Sequence, residues 1–241
     1  MIKSLSIIFP IYNEEKRLFK NLKDIKSFLL EKKVKKEIIF VDDGSDDKTS
    51  LMIKNFIKSI SKKVKKNSVV LLKSEKNLGK GSALKIGVKK AKLDWVLTAD
   101  IDMSVPLREI FKWEKKNLLK KNVSVYFGSR EHPKSLVKSK FYRKFLGRIL
   151  RLLINWMLNI KIRDTQCGYK LYRKNIAKKI FKKLTINGFE HDLEIVIISK
   201  KMLYEIVEVP VRWIHKKHSK LNILIDPLKM FLGLIKIRIS K

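Results

Sequence analysis

Through the first 130 residues, short apolar runs rich in β-forming residues alternate with stretches of helical periodicity. Each apolar run breaks off at a polar cluster. LSIIFPIY (Leu5–Tyr12) reads as a buried strand, followed by a helix from Glu14 to about Lys32. EIIFVDDGS is a second strand running into a polar turn at Asp42–Asp47, where Asp47 or Thr49 is placed to cap a helix reaching Ile60. SVVLLKS is a third strand, and GSALKIGVKKA a helix whose small residues allow close packing. WVLTADID and VSVYFGSR complete a set of five strands. The alternation predicts an α/β, Rossmann-like fold with a mainly parallel sheet flanked by helices. Such sheets bind ligands beyond the carboxyl ends of their strands. Glu14, Asp42, Asp100 and Arg130 all fall at or just past strand ends, so four segments should deliver polar groups to one rim.

The second half has a different pattern. KFYRKFLGRILRLLINWMLNIKIRD (Lys140–Asp164) sets Phe141, Phe145, Ile149, Leu152, Leu153, Trp156 and Met157 against Arg143, Lys144, Arg148 and Arg151. The spacing predicts a basic amphipathic helix over 140–160, a pattern suited to a membrane surface, and the stretch 223–241 is likewise apolar with basic punctuation. A solvated basic face on a core-covering helix has the same pattern. Lys and Arg number 57 against 23 acidic residues, a formal charge of +34 in 241 residues, which points to an anionic partner. Nucleic acid is disfavoured as that partner. The basic residues interleave with aliphatic helical positions rather than exposed aromatics, and no helix-turn-helix or zinc spacing occurs. No run approaches the length of a membrane span, and the N-terminus lacks a signal-peptide pattern, so a peripheral contact is expected. The single cysteine, Cys167, allows no disulfide within the chain and reads as a packing thiol.

Asp100 and Asp102 in TADID are two carboxylates one residue apart. On a strand they would point the same way and repel unless a cation lies beside them. Mg²⁺ or Mn²⁺ takes one or two carboxylates together with phosphate oxygens, so the pair suits a nucleoside diphosphate bridged to protein by metal. A solvated loop is the alternative for the pair taken alone.

The surrounding segments occur in a telling order: FPIYNEE, FVDDGSDDKT, NLGKGSALKIG, TADID and GSR (Gly128–Arg130). Together they resemble the nucleotide-sugar-binding half of inverting glycosyltransferases of the GT-A type. GSREHPKS, DTQCGYKLY (Asp164–Tyr172), GFEHDLEI (Gly188–Ile195) and VRWIHKKHSKLN sharpen this to a resemblance to the polyprenyl-phosphate glycosyltransferases, the dolichyl-phosphate glucosyltransferase and mannose synthase group. It covers roughly residues 4–222. It implies a glycosyltransferase domain over 1–222, with a donor half at 1–130 and an acceptor half at 131–222, and leaves 223–241 as a membrane-associating segment.

The resemblance also implies roles. Pro10, Tyr12 and Glu14 would surround the nucleoside, and Asp42 would contact base or ribose. Asp100 and Asp102 would hold Mg²⁺ or Mn²⁺, with Asp102 the closer ligand and a participant in catalysis. Arg130 would contact phosphate and Lys220 would lie over the diphosphate. Asp164 and Asp192 belong to acceptor-side motifs and are candidate catalytic acids. The implied partners are a nucleotide-sugar donor, a polyprenyl phosphate acceptor and an anionic membrane at its cytoplasmic face. Ser104 stands where mannose synthases often carry a third, glutamine ligand, and His215, Lys216 and Lys217 stand where they carry an arginine. The first leaves the metal to water or to a weak Ser104 contact. The second weakens the mannose assignment, and GSREHPKS and DTQCGYKLY look nearer the glucosyl group, so glucose from UDP-glucose is expected over mannose from GDP-mannose. A phosphate acceptor is already ionised at neutral pH, so little is asked of a general base. The harder task is stabilising the departing diphosphate, for which a divalent cation and basic side chains serve. Asp192 could instead be an ion-pair partner that positions a lysine or arginine, and His191 beside it reads as structural.

Overall fold

The structure is a computed structural model and describes residues 2–65, 68–138, 160–188, 190–214 and 216. A seven-stranded sheet runs through its centre in the order β3-β2-β1-β4-β7-β5-β8. Its strands are β1 (Ser4–Ile11), β2 (Lys35–Asp42), β3 (Val69–Lys73), β4 (Trp95–Thr98), β5 (Val125–Ser129), β7 (Lys170–Arg173) and β8 (Ile206–Pro210). All neighbours pair parallel except β7, which runs antiparallel to both β4 and β5. β6 (Leu136–Lys138) and β9 (Arg212–Ile214) form a separate parallel ribbon.

Helices cover both faces, as the alternation requires. On one face lie α1 (Glu15–Leu30), α2 (Thr49–Ile60) and α4 (Glu109–Lys115); on the other lie α3 (Lys80–Lys90), α5 (Lys174–Lys183) and α6 (His191–Lys201). Strand alternation divides the core accordingly. Ile7, Phe9 and Ile11 of β1 pack with Leu18, Ile25 and Phe56, whereas Ile8 joins Leu84 and Val88 of α3. Small residues in α3 bring it close to the sheet: a Cβ on Gly87 would lie 2.4 Å from the Ile8 side chain.

The five expected strands and the three helices between them are present, with ends within a few residues of the sequence reading. Asp47 serves its helix from one residue further out than a cap, accepting the Thr49 N–H at 2.9 Å, while Lys48 occupies the N-cap position. The expected amphipathic helix at 140–160 and the segment 223–241 lie outside the described residues, apart from Ile160, as do Lys220 and His215.

Candidate active site

β1, β2 and β4 end side by side, and their following turns carry the expected acids. β4 stops at Thr98, so Asp100 and Asp102 stand on a turn rather than on one strand face. The turn is closed by Met103 N–H donating to the Asp100 carbonyl at 3.1 Å, with Met103 at φ 54°. Asp102 Oδ1 accepts the Ser104 N–H at 2.9 Å, which fixes its carboxylate. Sheet pairing ends where β1 and β4 diverge, and this releases the backbone into the turn. The two acids keep 43% and 23% of their side chains exposed.

Each acid already faces a cation of the protein. Lys80 Nζ lies 2.6 Å from Asp100 Oδ1, and Arg17 Nη1 lies 3.8 Å from Asp102 Oδ2. Partial burial opposes the charge on Asp100, but Lys80 outweighs it and holds the carboxyl below the usual range. Arg17 is itself gripped by Glu14, whose carboxylate accepts from Nε at 2.6 Å and Nη2 at 2.5 Å. Pro10 lines a small cavity beneath this rim together with Lys80, Asp100, Lys170, His191 and Asp192. Tyr12 is exposed just beyond β1. Asp42 is fully buried and turned inward, accepting from Ser45 N–H at 2.9 Å and from the Ser50 hydroxyl. Its neighbour Asp43 takes the N–H groups of Leu78 at 3.0 Å and Gly79 at 2.7 Å, tying the approach to α3 onto the end of β2.

The second half contributes a second layer of charge. Arg130, just past β5, forks onto Asp164 through Nε at 2.7 Å and Nη2 at 2.8 Å, and its N–H adds a third bond at 2.8 Å. The Asp164 carboxyl is depressed: burial works against its charge, and Arg130 overrides it. Lys170, at the start of β7, is paired with Asp192 of α6, and both are almost wholly buried. Burial again disfavours the Asp192 charge, yet His191 and Lys170 hold the carboxyl far below its ordinary range. His191 sets Nδ1 against the Gly188 carbonyl at 2.8 Å and Nε2 3.2 Å from Asp192.

The loop of 164–170 joins these layers. Thr98 Oγ1 donates to the Gly168 carbonyl at 3.0 Å, and Gly168 passes directly against Asp100. Arg17, Lys80, Gly168 and Lys170 escaped the sequence reading. Lys80 and Arg17 had left one signal: each is a cation in the first turn of a helix, where the dipole disfavours positive charge.

The residues fit a divalent cation of the kind that protein shares with phosphate. Two partly exposed carboxylates at the rim already attract cations. Among the described residues no group of three or more His, Cys, Asp or Glu side chains could cage a metal without help. That donor set suits Mg²⁺ or Mn²⁺, which completes its shell with phosphate and water.

Known proteins share this fold. Solved structures match the fold over nearly the whole chain. A glucosyl-3-phosphoglycerate synthase from Mycobacterium tuberculosis, in complex with Mn²⁺, uridine diphosphate and glucosyl-3-phosphoglycerate, superposes with a TM-score of 0.68 at 16% identity, covering 98% of this chain and 80% of that one. A mannosyltransferase from Pyrobaculum calidifontis in complex with GDP-Man and Mn²⁺ gives 0.63 at 17% identity, covering 98% and 64%. The architecture is therefore the expected GT-A fold. Sequence relatives are nearer. The dolichyl-phosphate β-glucosyltransferase of Dictyostelium discoideum is 32% identical, covering 97% of this chain and 73% of its own length. The human protein of that name is 33% identical, covering 98% and 75%. That of Saccharomyces cerevisiae is 31% identical, covering 98% and 74%. The model of the family described as Glycosyl transferase family 2 matches residues 6–181, a span holding most of β1, the acids after β4, Arg130 and the 164–170 loop. With that match laid over the rim just described, the chain belongs to glycosyl transferase family 2.

Proposed function

We propose that the chain transfers glucose from UDP-glucose to the phosphate of a polyprenyl lipid such as dolichyl phosphate, with inversion at the sugar. The observation that carries this reading is the near-full-length similarity to dolichyl-phosphate β-glucosyltransferases, in a chain whose paired acids stand at the sheet rim. A phosphate oxygen of the acceptor forms the new bond to the anomeric carbon, and UDP leaves from the opposite face. A Mg²⁺ or Mn²⁺ ion held by Asp100 and Asp102 would neutralise charge on the departing diphosphate. Tyr12, Glu14 and Asp42 frame the nucleoside end. Asp42 does so by shaping its turn, because its carboxylate is fully buried against Ser45 and Ser50.

Asp164 and Asp192 act as positioning residues in this reading. Asp164 aims the guanidinium of Arg130, a planar fork matched to phosphate. Asp192 fixes Lys170 beneath the site. Lys220 supplies a further positive charge to the diphosphate. The protein works peripherally at the cytoplasmic face of a membrane, a placement supported by the +34 charge and the basic apolar sequence at 140–164 and 223–241. Residues 1–222 make the transferase unit and 223–241 attach it to the lipid surface.

A donor screen tests the proposal. Purified protein is incubated with Mn²⁺ or Mg²⁺, a short polyprenyl phosphate and radiolabelled UDP-glucose, UDP-N-acetylglucosamine or GDP-mannose. Label entering the lipid phase from UDP-glucose is expected. Transfer from GDP-mannose instead would move the assignment to mannose, and absence of transfer from every donor would defeat it.

A further inference from the structure

Both metal-site acids are occupied by the protein's own cations, and the two cations are held very differently. Arg17 is clamped by the two hydrogen bonds it donates to Glu14 and reaches Asp102 only at 3.8 Å. Lys80 sits directly on Asp100, 2.6 Å from Oδ1, at the end of a flexible four-carbon stem. Lys80 is the first residue of α3 and follows Gly79 at the N-cap. A cation there opposes the helix dipole, so helix stability does not account for its position. Asp100 does account for it, and Asp100 is 43% exposed, open to an ion arriving from solvent.

We propose that Lys80 is an exchangeable counter-ion that couples divalent-cation binding to donor binding, an inference that rests on Asp100 being a metal ligand as read above. A divalent ion and the ammonium compete for the same carboxylate and repel one another, so metal entry releases Lys80. The freed ammonium, still at the N-terminal end of α3, then keeps only the field of Asp192, a carboxylate already paired with Lys170. A nucleoside diphosphate arriving with the metal supplies an anion. Metal alone therefore binds against the competition of Lys80, while metal and diphosphate together give every charge a partner. The coupling is reciprocal: diphosphate tightens metal, and metal tightens diphosphate by the same factor.

Mn²⁺ binding to the full chain, read by the electron paramagnetic resonance of free Mn²⁺ with and without UDP, tests this. In the native protein UDP should tighten Mn²⁺ by about tenfold or more. Lys80→Met keeps the stem and removes the charge. It should bind Mn²⁺ alone about tenfold more tightly and lose most of the tightening by UDP. Lys80→Arg should retain the coupling. Unchanged Mn²⁺ affinity and unchanged coupling in Lys80→Met would overturn the proposal. So would loss of Mn²⁺ binding in a variant that still melts like the native protein, because Lys80 would then support Asp100 rather than compete for it. If the native protein binds neither Mn²⁺ nor UDP, the donor-site reading itself fails and takes this coupling with it.

Discussion

Gly168 and Asp100 occupy one space: a Cβ built on Gly168 would lie 2.3 Å from Asp100 Oδ2 and 2.6 Å from its Cγ. The 164–170 loop thus forms a wall beside Asp100, the proposed metal ligand, and only the smallest residue lets the carboxylate stand where it does. Gly168→Ala should push Asp100 aside and lower turnover about a hundredfold, as misplacement by an ångström can, with a melting temperature close to native. Native turnover in that variant would show that the loop and the carboxylate are not in contact during catalysis.

Asp102→Asn removes one negative charge from the rim and keeps the shape. Its Oδ1 should still accept the Ser104 N–H. Metal-dependent transfer should be lost while circular dichroism is unchanged. A fully active variant would remove Asp102 from the metal site.

Asp192 lies in a buried pair with Lys170, and breaking such a pair strands a charge at a cost of about 3–5 kcal/mol. Asp192→Asn should be destabilised by that order at neutral pH. The folded pKa of Asp192 is depressed, so its contribution is present above the unfolded carboxylate value near ~3.9 and is lost as pH falls through the lower folded value. Denaturant unfolding from pH 7 downward should show the difference between native and variant narrowing below about pH 4. A difference independent of pH would mean that the carboxylate charge stabilises nothing.

Cys167 is buried beside Asp164, and burial pushes its thiol up to about 12. The folded protein should resist thiol reagents at pH 8 and react promptly once unfolded. Rapid labelling of folded protein would show that the 164–170 loop opens.

Replacing Arg143, Lys144, Arg148 and Arg151 with Gln should weaken binding to phosphatidylserine vesicles at low salt, by about 1 kcal/mol for each charge near the surface. Co-sedimentation that is unaffected would relocate the membrane contact.

The sequence announced the fold where local pattern and tertiary role coincide. β1 and β2 are almost wholly buried, and runs such as SIIFPI and EIIFVD declare this directly. The positions of Asp100 and Arg130 follow from strand ends in the same way. β7 was hidden. Its four residues carry no period, and its two partners lie far away in sequence, so KLYR reads as part of a loop motif. The pairings of Arg130 with Asp164 and of Lys170 with Asp192 depend on β7 being in place. The sequence reading therefore named the acids and Arg130, and kept an ion-pair role open for Asp192, but could not identify Arg130 and Lys170 as the partners of Asp164 and Asp192.

The central strand order has a consequence for how the molecule is made. β5 has two neighbours, β7 and β8, and both are encoded after it. A nascent chain that has just emerged through residue 130 can assemble β3-β2-β1-β4, but β5 has nothing to pair with and β4 presents an open edge. The sheet closes only when residues 170–173 arrive and thread backward between them. N-terminal and C-terminal portions taken from two relatives and spliced at residue 130 would each interrupt a shared sheet. A splice placed before residue 125 keeps β5, β7 and β8 together and leaves only the β4–β7 pairing to be matched across the join.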